Sequence, residues 1–220
     1  FFHVLEACRH YPVEHLVFAS SSSVYGGNKK IPFSTKDQVD QPVSLYAATK
    51  KSNELMAYSY SKLYQIPLTG LRFFTVYGPM GRPDMAYFKF AKKIMENEPI
   101  QVYNNGDMLR DFTYIDDIVK GIENILCNVP MEDENGAAYK IYNIGNNKPE
   151  KLMDYIAVLE KCLGRRARKE YLPMQPGGVY ETYADVQELM NDYGFKPSTT
   201  IEEGLGRFAE WFLSYYQYKN

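Results

Sequence analysis

Apolar residues recur at helical spacing from the first position, through Phe1, Phe2, Val4, Leu5 and Cys8, without an initiator Met or an N-capping residue. This stretch is expected to be the tail of a helix whose start is cut away. Pro12 breaks the pattern, and 15–20 then reads as a buried strand. A polar loop rich in Ser, Gly, Asn and Pro runs to Pro42, after which Ser44 is placed to cap a long amphipathic helix reaching about Tyr64. A second buried strand is expected over 67–74, and a Gly/Pro-rich loop over 77–83. Asp84 is placed to cap a helix to Glu96, followed by a short strand over 100–103 and a turn over 104–107. Asp116 is placed to cap a helix to about Asn128, with an acidic loop over 131–138 and a third buried strand over 139–145. The remainder predicts helices near 151–163, 184–193 and 201–217 and a short strand over 169–172. Strands alternating with helices predict an α/β protein whose parallel sheet is covered on both faces.

Composition narrows the function classes. The chain has 220 residues, 45% hydrophobic and 24% charged, enough for one large domain or two small ones. A net charge of −2 gives no basic excess for nucleic acid. No apolar run approaches the roughly 18 residues that span a bilayer. Cys8, Cys127 and Cys162 form no CxxC pair and sit in apolar, helix-like patterns, as reduced, buried thiols of a cytoplasmic protein do. His3, His10 and His15 have no matching Cys or carboxylate spacing, so no metal site is expected.

Candidate chemistry begins at Tyr46-Ala47-Ala48-Thr49-Lys50, where a phenol and an ammonium share one helix face. A free tyrosine has a pKa of about 10, and lowering it to neutrality takes about 4 kcal/mol of differential interaction, within reach of a close ammonium in a water-poor site. Tyr46 would then serve as a base. Alone, the pair reads more readily as a surface Tyr and Lys. Upstream, however, a buried strand ends in Ser20-Ser21-Ser22-Ser23-Val24-Tyr25-Gly26. Ligands of open α/β sheets bind beyond the carboxyl ends of strands, where these hydroxyls can donate to a developing carbonyl oxygen. A serine loop capping its own backbone is the plainer reading. The two features together are more specific than either.

The segments FASSSSVYG, SLYAATKKSNE, LRFFTVYGPMGRPDMA and GDMLRDFTYIDDIV, in this order, resemble the signatures of extended short-chain dehydrogenases/reductases acting on nucleotide sugars, most of all the UDP-glucuronate 4-epimerases. The resemblance runs from near Phe1 to about Asp185. It implies a Rossmann-like, doubly wound parallel sheet lacking its N-terminal βαβ units, with a smaller α/β substrate domain. The first would comprise 1–75 and 114–147, the second 76–113 and 148–220. It implies NAD as cofactor and a UDP-sugar as substrate, with Tyr46 as catalytic acid/base, Lys50 on the nicotinamide ribose and Ser21 on the reacting sugar oxygen. Ala19, Ser20 and Phe73 would border the cofactor, whereas Ser22, Ser23 and Thr75 would line the sugar pocket. Arg110 would meet the diphosphate and Tyr103 the uracil. For Phe73 and Tyr103 simple packing is the competing reading, and for Arg110 a solvated surface position.

A uronic acid needs a cation near C6, and Arg82, in the loop after Thr75, suits that task unless it pairs locally with Asp84. Two departures stand out. Gly178 occupies the place of an acidic residue that binds ribose hydroxyls, leaving Glu181 as a substitute. No GxxGxxG occurs, so the chain as given is expected not to hold NAD by itself. The resemblance further implies a homodimer formed through the Tyr46 helix. A neutral UDP-hexose epimerase and a non-catalytic cofactor-sensing protein are the rival readings. Ser22 and Ser23, where related dehydratases carry an Asp-Glu pair and decarboxylases a Glu, argue against those two activities.

Overall fold

In a computed structural model, residues 1–174 and 180–218 are described. The elements follow in chain order as α1 (Phe2–His10), β1 (Leu16–Ser21), α2 (Leu45–Tyr64), β2 (Leu68–Phe73), β3 (Thr75–Tyr77), α3 (Ala86–Met95), β4 (Pro99–Tyr103) and β5 (Leu109–Tyr114). They continue with α4 (Ile115–Leu126), β6 (Tyr139–Ile144), β7 (Pro149–Lys151), α5 (Leu152–Leu163), β8 (Arg168–Leu172), α6 (Gln187–Tyr193) and α7 (Ile201–Tyr215).

The three apolar runs read from the sequence pair as one parallel sheet in the order β1-β2-β6. β2 lies between the other two, and its first five residues are buried. Gly70 sits there because a Cβ would come within 2.4 Å of Ile141 and 2.6 Å of Phe18 on the flanking strands. Strand alternation separates two apolar layers. On one face Phe18 and Leu68 pack with Leu5 and Ala57 of α1 and α2. On the other, Leu71 and Ile144 pack with Ile118 and Ile125 of α4, Leu189 of α6 and Phe195.

A further core joins β3, α3, β5, α5 and α7 around Tyr77, Phe112, Tyr155 and Phe208, with the Phe112 and Tyr155 rings stacked at 3.9 Å. β3 and β5 are parallel, β7 is antiparallel to β5, and β4 pairs with β8 in parallel. The sheet system is therefore mixed rather than wholly parallel.

Ser44 caps α2 as expected, accepting the Ala47 N–H at 3.1 Å. Asp84 and Asp116 do not act as expected: α3 starts after Met85 and α4 after Tyr114, neither with a side-chain cap. Asp116 instead sits in the first turn of α4, where a carboxylate favours the helix dipole. The cysteines are free, but only Cys8 is buried; Cys162 is half-buried and Cys127 exposed. No described helix is long and apolar enough to cross a membrane.

Candidate active site

β1 ends at Ser21, and the chain coils directly into a 3-10 turn over Ser22–Tyr25. Ser21 Oγ accepts the Ser23 N–H at 3.2 Å and the Ser23 hydroxyl at 3.0 Å, so the serine cluster does cap its own backbone. Ser21, Ser22 and Ser23 all remain half-exposed. Gly26 closes the turn at φ +56°, a conformation that a side chain disfavours. A Cβ there would also lie 2.3 Å from the Gln41 carbonyl oxygen. Tyr25 is anchored below, stacked on Phe33 at 4.7 Å.

α2 packs against this turn and carries Tyr46 in its own first turn, 54% exposed as a residue. One turn later, Lys50 Nζ lies 5.7 Å from the centroid of the Tyr46 ring and donates to the Ala19 carbonyl at 3.0 Å. Tyr46, Lys50 and Ala19 thus meet at the carboxyl end of β1, which runs on directly into the serine turn. Ser20 departs from its expected place. Its side chain is 2% exposed and donates to Glu54 Oε1 at 2.7 Å, facing the interior between β1 and α2.

The remaining expected residues are spread more widely. Phe73 is half-buried against the layer formed with α4, and Thr75 is half-buried at the start of β3. Arg82 is exposed and holds Asp84 through Nε at 3.1 Å and Nη2 at 2.8 Å. That hydrogen bonding raises the Arg82 pKa, and Tyr46 is near enough to contribute. Arg110 donates to the carbonyls of Leu109 and Tyr180, each at 2.8 Å, and burial lowers its pKa. Tyr103, half-buried at the end of β4, donates its hydroxyl to Gln101. Glu181 bridges to Leu109 and lines a cavity of about 350 Å³ with Gly26, Phe33 and Tyr180. Gly178 lies outside the described residues.

Sequence reasoning missed four buried polar groups around this corner. Glu54 takes a bidentate ion pair from Arg72, with Nε at 2.8 Å and Nη2 at 2.9 Å. Burial pushes the Glu54 carboxyl up, but Arg72, joined by Ser20 and Lys51, leaves the pKa below its ordinary value. Asn143 of β6 accepts the Tyr25 hydroxyl at 2.6 Å. Asp111, wholly buried in β5, accepts the backbone N–H groups of Asn146, Asn147 and Ala184 at 2.6, 3.1 and 3.1 Å. Burial pushes Asp111 up to about 6 against those donors. An Arg and an Asn inside otherwise apolar strands were the available signal, since such groups stay buried only when paired.

Residues 2–145 match the profile of the NAD dependent epimerase/dehydratase family. Protein CapI of Staphylococcus aureus is 54% identical, with 99% of this chain and 68% of that protein covered. A probable UDP-glucuronate 4-epimerase of Rhizobium meliloti is 47% identical, over 97% of this chain and 66% of that protein. Among solved structures, UDP-glucuronic acid 4-epimerase from Bacillus cereus, in complex with UDP-glucuronic acid and NAD, superposes with a TM-score of 0.85 at 34% identity. The match covers 97% of this chain and 66% of that one. The chain thus spans about two thirds of the length of these three proteins. With the profile match over most of its length and the Tyr46–Lys50 pair set at a strand end beside a serine turn, the chain belongs to the NAD dependent epimerase/dehydratase family.

Proposed function

We propose that this chain carries the substrate-side chemistry of an NAD-dependent 4-epimerase that interconverts UDP-glucuronate and UDP-galacturonate. The observation that carries the reading is the junction of Tyr46, Lys50 and Ala19 at the carboxyl end of β1, with Ser21 two residues beyond Ala19. The donor set suits the ribose end of NAD: an ammonium has three N–H donors, Ala19 takes one, and two remain for a diol. When bound, NAD would take a hydride from sugar C4 and return it to the opposite face. The half-exposed Tyr46 phenol is the group to remove the C4 hydroxyl proton and later restore it. Lys50 would favour the phenolate, and Ser21 would donate to the oxygen as it becomes a carbonyl. Ser22, Ser23 and Thr75 would line the sugar, with Arg110, Tyr103 and Glu181 toward the nucleotide. In this reading, 1–75 with 114–147 serve the cofactor and 76–113 with 148–220 the sugar nucleotide. A homodimer through α2 fits its exposed Leu55 and Leu63.

The test is Tyr46→Phe in the intact protein, followed by interconversion of the two UDP-uronates. Epimerisation is expected to disappear while UDP-sugar binding persists, because only the titrating oxygen is removed. Retention of a tenth of the turnover would exclude Tyr46 as the acid/base.

A neutral UDP-hexose as substrate is favoured by one observation, the Arg82–Asp84 pair, which occupies the cation meant for the uronate. Exposed pairs of this kind are weakly held, so a substrate carboxylate can displace Asp84. If it does, Arg82→Ala lowers kcat/KM for UDP-glucuronate roughly ten- to hundred-fold and leaves UDP-glucose turnover nearly unchanged. An unchanged ratio of the two constants would favour the neutral sugar.

A further inference from the structure

Tyr46, Lys50 and Glu54 follow one another at four-residue spacing and form one stripe along α2. The first two face the site; Glu54 is buried, at 2% exposure, and has no chemistry of its own to perform. It holds the Ser20 hydroxyl and, through both oxygens, the Arg72 guanidinium. Arg72 continues the chain, with Nη1 donating to Tyr25 Oη at 3.1 Å and its guanidinium 4.9 Å from the Tyr25 ring centroid. Tyr25 donates to Asn143, whose amide donates to the carbonyls of Phe33 and Asp185 at 2.7 and 3.0 Å.

Two rungs therefore join α2 to consecutive residues of β1: Lys50 to the Ala19 carbonyl, and Ser20 to Glu54. Together they fix both the rotation of the helix and its height above the strand end. The branch through Arg72 and Tyr25 holds the serine turn from beneath. Apolar side chains of similar volume often stabilise an interior as well as a buried ion pair does, so stability alone does not account for this one. Directional hydrogen bonds, by contrast, set geometry, and misplacement by about 1 Å can lower a rate a hundred-fold.

We propose that Glu54 and Arg72 are positioning residues whose ion pair sets the Tyr46 phenol against the Ser21–Ser23 hydroxyls. The proposal rests on the epimerase reading for its rate effect, but not for its structural effect. It is tested in the intact protein with Glu54→Gln, which keeps the size but loses the charge, and with Tyr25→Phe, which deletes only the link from Arg72 to Asn143. Glu54→Gln is expected to lower kcat at least about ten-fold while KM for UDP-glucuronate moves less than about three-fold. Tyr25→Phe is expected to give a smaller loss of the same kind, and it stands as the deciding variant if Glu54→Gln does not fold. Independently of turnover, amide hydrogen exchange should quicken in the serine turn and the first turns of α2 and stay unchanged in α5 and α7.

Wild-type exchange and wild-type kcat in both variants would overturn the proposal. So would quickened exchange throughout the molecule, which is the mark of a general loss of stability. Should Tyr46→Phe remain active, the epimerase reading fails instead, and the exchange pattern alone decides whether Glu54 and Arg72 hold the corner together.

Discussion

Gly26 shows how a single backbone position governs the candidate site. Its φ of +56° and the 2.3 Å approach to Gln41 leave no room for a side chain, so the serine turn keeps its path only with glycine there. Gly26→Ala is expected to destabilise the fold by about 1–3 kcal/mol, read from urea unfolding; a loss within 0.5 kcal/mol would mean that the turn relaxes freely. At this scale the sequence was informative where chemistry depends on residue type. The contact between Tyr46 and Lys50 was legible because four-residue spacing puts the two side chains on one helix face. Ser20 was misplaced because four serines in a row do not say which hydroxyl points inward, whereas strand alternation and the Glu54 partner decide it. Glu54 itself was hidden by its neighbourhood: a carboxylate on an amphipathic helix reads as solvated until Arg72, eighteen residues on, is seen beside it.

The long, periodic elements were the legible ones. α2 begins where Ser44 placed it, and Ser44→Ala is expected to cost about 1 kcal/mol, since the Ala47 N–H loses its acceptor. Ser44→Asp should retain nearly all of the stability, and thermal unfolding of the two variants separates cap loss from a wider defect. The short elements were not legible, each for its own reason. β3 follows β2 after Phe74 alone, so the apolar run reads as one strand. β5 buries Asp111 and Thr113 among its apolar residues, which breaks the two-residue alternation. β7 is three residues long, opens with Pro149 and is stabilised by its antiparallel partner rather than by any pattern of its own. Asp84 fails as a helix cap because α3 begins one residue too late for it, with Met85 at the capping position, and its carboxylate pairs with Arg82 instead.

For the molecule as a whole, Asp111 is the most informative titrating group, because it ties β5 to the turn after β6 and to the segment at Ala184. Its folded pKa of about 6 lies above the ordinary 3.8. Between those values the folded chain keeps a proton that the unfolded chain releases. The stabilisation is complete below about pH 4 and is lost as pH rises through 6, by about 3 kcal/mol in total. Glu54 and Asp37, with lowered pKa values, act in the opposite sense and only below their ordinary range. Asp111→Asn removes the slope between pH 4 and 6, and it destabilises at all pH values because an amide cannot accept from three N–H groups. Urea unfolding of both proteins at pH 4.5 and 7 checks this; parallel pH profiles would assign the slope to other groups. The parallel bridge between Phe33 and Ala184 has a consequence for the order of folding. It brings together backbone segments about 150 residues apart, and the core around Tyr25, Phe33 and Phe74 is closed by Ala184 and Val186. A loop of that length closes late, after the local helices and the β1-β2 pairing have formed. During synthesis the serine turn therefore waits for the segment around Ala184 to leave the ribosome, and the corner that holds the candidate site is among the last parts of the chain to mature.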